Sequence, residues 1–80
     1  MPIYHLHLQN SHIEADDIEG HDLPDQEAAH AMALDGIRDF LGHEAMNGKL
    51  DFRGHVDIED NDGAVLQTVR FVEAFEIKGL

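Results

Sequence analysis

The 80 residues include no cysteine, which removes disulfides and thiolate metal sites together and fits a reducing compartment. Positive charge is also scarce: Lys and Arg total 5 against 17 Asp and Glu, a formal balance of −12 with histidine neutral. That balance repels phosphate backbones and anionic lipid, so neither nucleic acid nor a membrane surface is an expected partner, whereas a basic protein or a cation is compatible. No apolar run reaches the length of a membrane span, and the basic and apolar segments of a signal peptide are missing, so a cytoplasmic location is expected. Serine or cysteine nucleophile contexts, glycine-rich phosphate loops, cofactor-binding patterns and basic-aromatic stripes are absent as well, and no enzymatic activity is expected. No repeat, low-complexity segment or linker divides the chain, which reads as one α+β domain over residues 1–80. A chain of this size buries about 60–65% of its unfolded surface, which leaves little room in the core for a pocket of roughly 300 Å³ or more.

What is present is periodic. From Pro2 to Gln9, Tyr4, Leu6 and Leu8 point one way and His5, His7 and Gln9 the other, the pattern of a half-buried strand. Asn10-Ser11 supplies turn chemistry, and His12 to Ile18 reads as a weaker, acidic second strand. From Pro24 to Asn47 the period becomes helical, with Ala29, Ala33, Ile37, Phe40 and Leu41 on one face, flanked by Leu34 and Ala45, and with Asp35, Asp39 and His43 turned away. Asn47-Gly48 stops the helix, and Leu50 is placed to fold back on its last turn. Phe52, Val56 and Ile58 alternate with Arg53, His55, Asp57 and Glu59 in a third strand; Asp60-Asn61-Asp62-Gly63 forms a hairpin, and Ala64 to Phe71 a fourth strand. Val72 to Ile77 fits either a final helical turn or a continued edge strand.

The junction Glu19-Gly20-His21-Asp22-Leu23-Pro24-Asp25 carries the architectural signal. Gly20 permits a tight turn, Pro24 suits the first helical position, and Asp25 can cap or complement the exposed amides. The resulting order is β-β-α-β-β, a four-stranded antiparallel sheet with one helix packed on one face. One helix leaves the other sheet face open to water, and the short edge strands could pair with another copy.

Several groups of residues bear on chemistry. His5 and His7, at i and i+2, project from one face of the first strand, the spacing at which a strand offers two imidazoles to Zn²⁺ or Ni²⁺. A third ligand would come from a neighbouring strand, as His12 or His55, and the candidate metal set is His5, His7 and His55. The same pattern is also the polar face of a half-exposed strand; on that preferred reading both rings titrate near the ordinary value of about 6.5. All seven histidines together add enough charge to bring −12 to −5, so the surface field depends on pH near neutrality. Asp57 to Gly63 looks superficially like a calcium loop, but glycine falls at the seventh position rather than the sixth, Thr68 stands where a bidentate Glu is needed, and the flanks are strands. His30, near the apolar helix face, reads as a packed residue making one hydrogen bond, and Glu14, Asp16, Asp17 and Asp57 as solvated acids rather than a general acid and base.

Three spaced segments carry a family resemblance: Met1-Pro2-Ile3-Tyr4 with His7-Leu8; Glu19-Gly20 before Leu23-Pro24-Asp25 and Ala28-Ala29; and Ile58 to Val69 with Phe71. Together they resemble a family of small, uncharacterised bacterial proteins, a domain of unknown function about as long as this chain. His5 and Leu6 stand where that pattern usually has aromatics, and the helix has few arginines. The resemblance implies a compact α+β domain, with no activity or site to carry over. A second similarity, in strand-strand-helix order alone, is to the antitoxin halves of bacterial toxin–antitoxin pairs. The expected function is a small non-catalytic binding or regulatory module acting through protein–protein contacts, the expected partner being another protein, of unknown identity, or a second copy in a homodimer; the alternatives are a metal-binding protein using strand histidines and an antitoxin-like partner of a toxin.

Overall fold

In the computed structural model, which describes residues 2–79, the alternation at the start of the chain forms strand β1 (Ile3–Gln9), with Tyr4 buried and Leu6 and Leu8 packed against the core. There follow β2 (Glu14–Ala15), β3 (His21–Asp22), helix α1 (Gln26–Met46), β4 (His55–Glu59) and β5 (Val65–Arg70), and then a 3₁₀ turn over Phe71–Ala74. Every pairing is antiparallel, in the order β2-β1-β4-β5 with β3 also on β1. This is the α+β fold of β-β-α-β-β order that the periodicity indicates, with the second strand delivered in two pieces.

The split has a simple geometric cause. Leu8 pairs with Ala15 and Tyr4 with His21, so residues 16–20 must span what residues 5–7 span on β1. The surplus loops out, and Ile18, expected in a strand, is 86% exposed. Gly20 lets the chain return: its φ is +79°, and a Cβ there would sit 2.7 Å from Ile3 Cγ2 and 2.9 Å from His5 Cε1.

The helix begins and ends with specific hydrogen bonds. Asp25 is its N-cap, accepting from the Ala28 N–H at 2.8 Å. Pro24 therefore precedes the cap instead of opening the first turn, because the Asp25 side chain claims the amide at the third helical position. At the other end Lys49 donates to the Glu44 carbonyl and Gly48 to that of Ala45, each at 3.0 Å, the paired bonds of a Schellman stop. Leu50 does not bury itself on the last turn as expected; it remains 58% exposed.

Ala29, Ala33, Ile37 and Leu41 form the buried helical stripe, and with Tyr4, Val56, Ile58, Val69, Phe71 and Ala74 they make a single core cluster. Leu34 and Phe40 join it as partly buried neighbours, while Ala45 is exposed. The final segment resolves as the helical alternative: Phe71 and Ala74 are buried, and the Ala74 carbonyl accepts from Arg38 Nε of α1 at 2.8 Å. Room for the Phe71 ring comes from Gly54, whose φ of +143° and missing Cβ bring its backbone against the ring and the Gln9 carbonyl. Among the described residues no helix is long and apolar enough to cross a membrane.

Ile37, with no exposed surface, tests the helix face. We expect Ile37→Ala to lower unfolding free energy by about 2–5 kcal/mol, and Ile37→Asp to abolish the cooperative transition, because a buried unpaired carboxylate exceeds what so small a core can tolerate. Circular dichroism melts read both; an unchanged midpoint in Ile37→Asp contradicts the assignment.

Candidate functional site

With α1 on one side, the other side of the sheet is bare, and β1 and β4 present their polar alternation there. Register places His5 opposite Glu59, His7 opposite Asp57 and Gln9 opposite His55; on the next strand Thr68 lies opposite Asp57 and Arg70 opposite His55. Imidazoles and carboxylates thus face each other across the first two of these rungs, an arrangement favourable between neighbouring strands. The rings of His5 and His7 stack with centroids 6.2 Å apart and planes 8° from parallel.

Asp17, in the looped-out segment, organises the β1 end of this face. Its carboxylate accepts from the N–H of Leu6 at 3.2 Å and of Gly20 at 3.0 Å, and lies 3.2 Å from His21 Nε2. It occupies the gap between β2 and β3, where the ladder would otherwise leave a β1 amide without a partner. Its main chain engages the other two histidines: the Asp17 carbonyl accepts from His5 Nδ1 at 2.8 Å, and the Asp17 N–H donates to His7 Nδ1 at 3.1 Å. A residue read from sequence as a solvated acid is therefore the structural hub: its bonds to Gly20 and His21 are local, but those to Leu6, His5 and His7 depend on β1 lying alongside.

The two neighbouring imidazoles play different parts. Both nitrogens of His5 face oxygens, Nδ1 the Asp17 carbonyl and Nε2 the Asn61 Oδ1 at 3.2 Å. The Asp17 carbonyl first, then Asn61, favour the charged ring, with smaller help from the Asp17 and Glu59 carboxylates, and raise the His5 pKa above its ordinary 6.5. The expectation of an unperturbed His5 is corrected here. His7 uses Nδ1 as an acceptor from Asp17, and its Nε2 lies 3.3 Å from Glu59 Oε2.

His5, His7 and His55 share the bare face but are already engaged separately. His55 stands at the far end of the β4 ladder, its Nε2 3.5 Å from Asp57 Oδ2. Among the described residues no group of three or more His, Cys, Asp or Glu side chains could hold a metal ion. His12 is elsewhere, on the rim of a hollow of about 730 Å³, which Phe40, Leu41, Leu50 and Phe52 line between the helix C-terminus and the 10–13 turn. That volume exceeds the pocket size the core was expected to allow, because the hollow is built on the surface by the 49–53 segment and not within the core. A smaller hollow of about 370 Å³ opens on the bare face itself, lined by His7 and four carboxylates, Glu14, Asp16, Asp57 and Glu59. The Asp57–Gly63 segment is a hairpin, not a cation loop: Asp60 Oδ1 accepts from the N–H of Asp62 and of Ala64, both at 2.9 Å.

Residues 3–72 match a family model described as a domain of unknown function (DUF6894). No curated protein and no solved structure matches the chain.

Two measurements probe this face. A raised folded-state pKa means that His5 contributes stability in full below its unfolded value of about 6.5 and loses that contribution as pH rises through the folded value. The melting difference between wild type and His5→Ala should therefore be largest near pH 5.5 and shrink towards pH 8.5, with NMR titration placing the His5 midpoint above 6.5; a midpoint at or below the ordinary value contradicts the contacts. Equimolar Zn²⁺ should shift the melting temperature by no more than a few degrees, since a dispersed ligand set gives little linkage stabilisation. A rise of about ten degrees that disappears in His5→Ala/His7→Ala would instead establish a metal site.

Proposed function

Because the chain belongs to the DUF6894 family, whose model covers residues 3–72 and assigns no function, we propose from its own surface that it is a non-catalytic binding module. It acts through protein–protein contacts made by the uncovered sheet face. The observation that carries this reading is the ordered polar face, where Glu14, Asp16, Asp57 and Glu59 surround His7 in a shallow hollow held by β1, β4 and the Asp17 loop. Side chains fixed by a sheet ladder present a pre-organised charge pattern, which gives specificity and fast encounter more than affinity. The complementary partner is a basic protein surface, in keeping with a net charge of −12, and nucleic acid is disfavoured on the same ground. The groups of this face are occupied with one another, His7 with Asp17 and Glu59, Asp57 with Thr68 at 2.7 Å, which supports recognition over catalysis.

Self-association fits the same reading through β5. Its sequence, Val65-Leu66-Gln67-Thr68-Val69-Arg70, contains no carboxylate, its outer side is a sheet edge, and Val65 and Leu66 are exposed. Two strongly negative copies meet there with the least repulsion.

The test is charge reversal on the face. Asp57→Lys/Glu59→Lys should leave the fold cooperative while abolishing capture of the partner that wild type retains from the native host, and steepen no salt dependence of its own. Affinity of the isolated partner for wild type should fall as ionic strength rises. Equal capture by the reversed variant, with the same salt response, removes the face from the proposal.

A further inference from the structure

We propose that the concavity at the open end of the β4–β5 pair, away from its hairpin, binds an oxoanion, the carboxylate or phosphate group of a small molecule. Its lining residues differ from those of the acidic hollow, to which Thr68 and His55 are joined through Asp57. The concavity measures about 530 Å³ and is lined by Arg53, His55, Thr68 and Arg70 with Phe52 and Val72 as apolar walls; no Asp or Glu lines it. In a chain with only 5 Lys and Arg against 17 acids, two of those five cations and a histidine meet around one hollow.

Folding alone does not account for the arrangement. The inner rungs of the bare face set histidine against carboxylate, His5 against Glu59 and His7 against Asp57, but the outermost rung sets His55 directly against Arg70. A cross-strand pair of basic groups is unfavourable whenever the imidazole is charged, and it is retained here beside a third basic group, Arg53. The nearby carboxylates are committed. Asp51 accepts from Arg53 Nε at 2.9 Å and Nη2 at 2.8 Å, contacts that hold the Asp51 pKa down at about 2 and, among the described residues, leave Arg53 Nη1 unspent. Asp57 accepts from the Thr68 hydroxyl at 2.7 Å and lies 3.5 Å from His55 Nε2. The Glu73 carboxylate accepts from the Arg70 backbone N–H at 2.6 Å, and among the described residues the Arg70 guanidinium makes no ion pair within 4 Å and no hydrogen bond. A guanidinium fork with all its donors free, beside a second one with a free edge, matches the paired oxygens of a carboxylate or phosphate. The Phe52 and Val72 walls lower the local dielectric around an anion there and strengthen its attraction to Arg53 and Arg70.

Amide NMR titrations of the full chain with inorganic phosphate, and separately with acetate, at constant ionic strength test this. We expect saturable shifts confined to residues 53–55 and 68–72, and the anion that saturates at the lower concentration identifies the ligand group. Arg70→Ala and Arg70→Gln, both at an exposed position, should weaken that binding at least about tenfold, the loss of a charge-assisted contact. Lys78→Ala removes the same charge from a lysine whose partner is Glu76 and should leave the affinity unchanged. Shifts that fail to saturate with either anion, that spread over the chain, or that respond equally to Lys78→Ala and Arg70→Ala overturn the proposal.

Discussion

Ala29, Ala33, Ile37 and Leu41 meet one face of the sheet in a single layer, and every other feature is arranged around that contact. Ten buried apolar residues make up the cluster, and the described residues include no buried polar group to hold the layers in another way. Two alanines in the stripe let the helix backbone approach the strands closely, so Ile37 and Leu41 can reach the large side chains Ile58 and Phe71. Phe71 links the parts: its ring reaches Phe40 of α1 at 5.8 Å between centroids and lies over Gly54, while its N–H donates to the Gly54 carbonyl at 3.1 Å. A core of one layer commits all its apolar surface on one side. The other side of the sheet is therefore polar of necessity, and the face on which His5, His7, Asp57 and Glu59 meet is a by-product of the packing.

Elements with strict periodicity were readable in the amino-acid order. Tyr4, Leu6 and Leu8 alternate with His5, His7 and Gln9, and the helical stripe recurs every three or four residues; burial follows both patterns because each depends only on local geometry. The interrupted second strand was not readable. Its two halves are two residues each, too short for alternation, and the gap between them is bridged by Asp17, whose partners Leu6, His5 and His7 belong to another strand. An acidic pair such as Asp16-Asp17 looks solvated from composition alone, yet one member is the hub and the other is an exposed rim group.

The same reasoning separates what was legible at the candidate sites. That His5 and His7 share a face follows from their alternation on β1; that His55 shares it depends on β1 and β4 being neighbours, which the register shows. That their nitrogens are already engaged does not follow, because Asn61, which faces His5, arrives from 56 residues away through the β4–β5 hairpin. Gly54 escaped notice for a similar reason: its need for a bare backbone arises only once β5 delivers Phe71 against it. The cationic hollow likewise joins Arg53 and His55 to Arg70 across a strand pair, so a charge count along the chain records only an excess of acid.

The looped-out residues 16–20 also make the two margins of the sheet unlike. On one side the outermost strand is broken into dipeptides, with Asp17 already spending its carboxylate on the β1 amide of Leu6 that an unbroken strand would have met. On the other, β5 offers six consecutive residues with an open flank. A sheet with one continuous margin can be extended by strand addition once, in a closed two-fold pair, and then has no free margin left from which to continue. The break that Asp17 stabilises thus leaves β5 as the one continuous margin among the described residues, a geometry that disfavours the fibre-like growth two open edges allow.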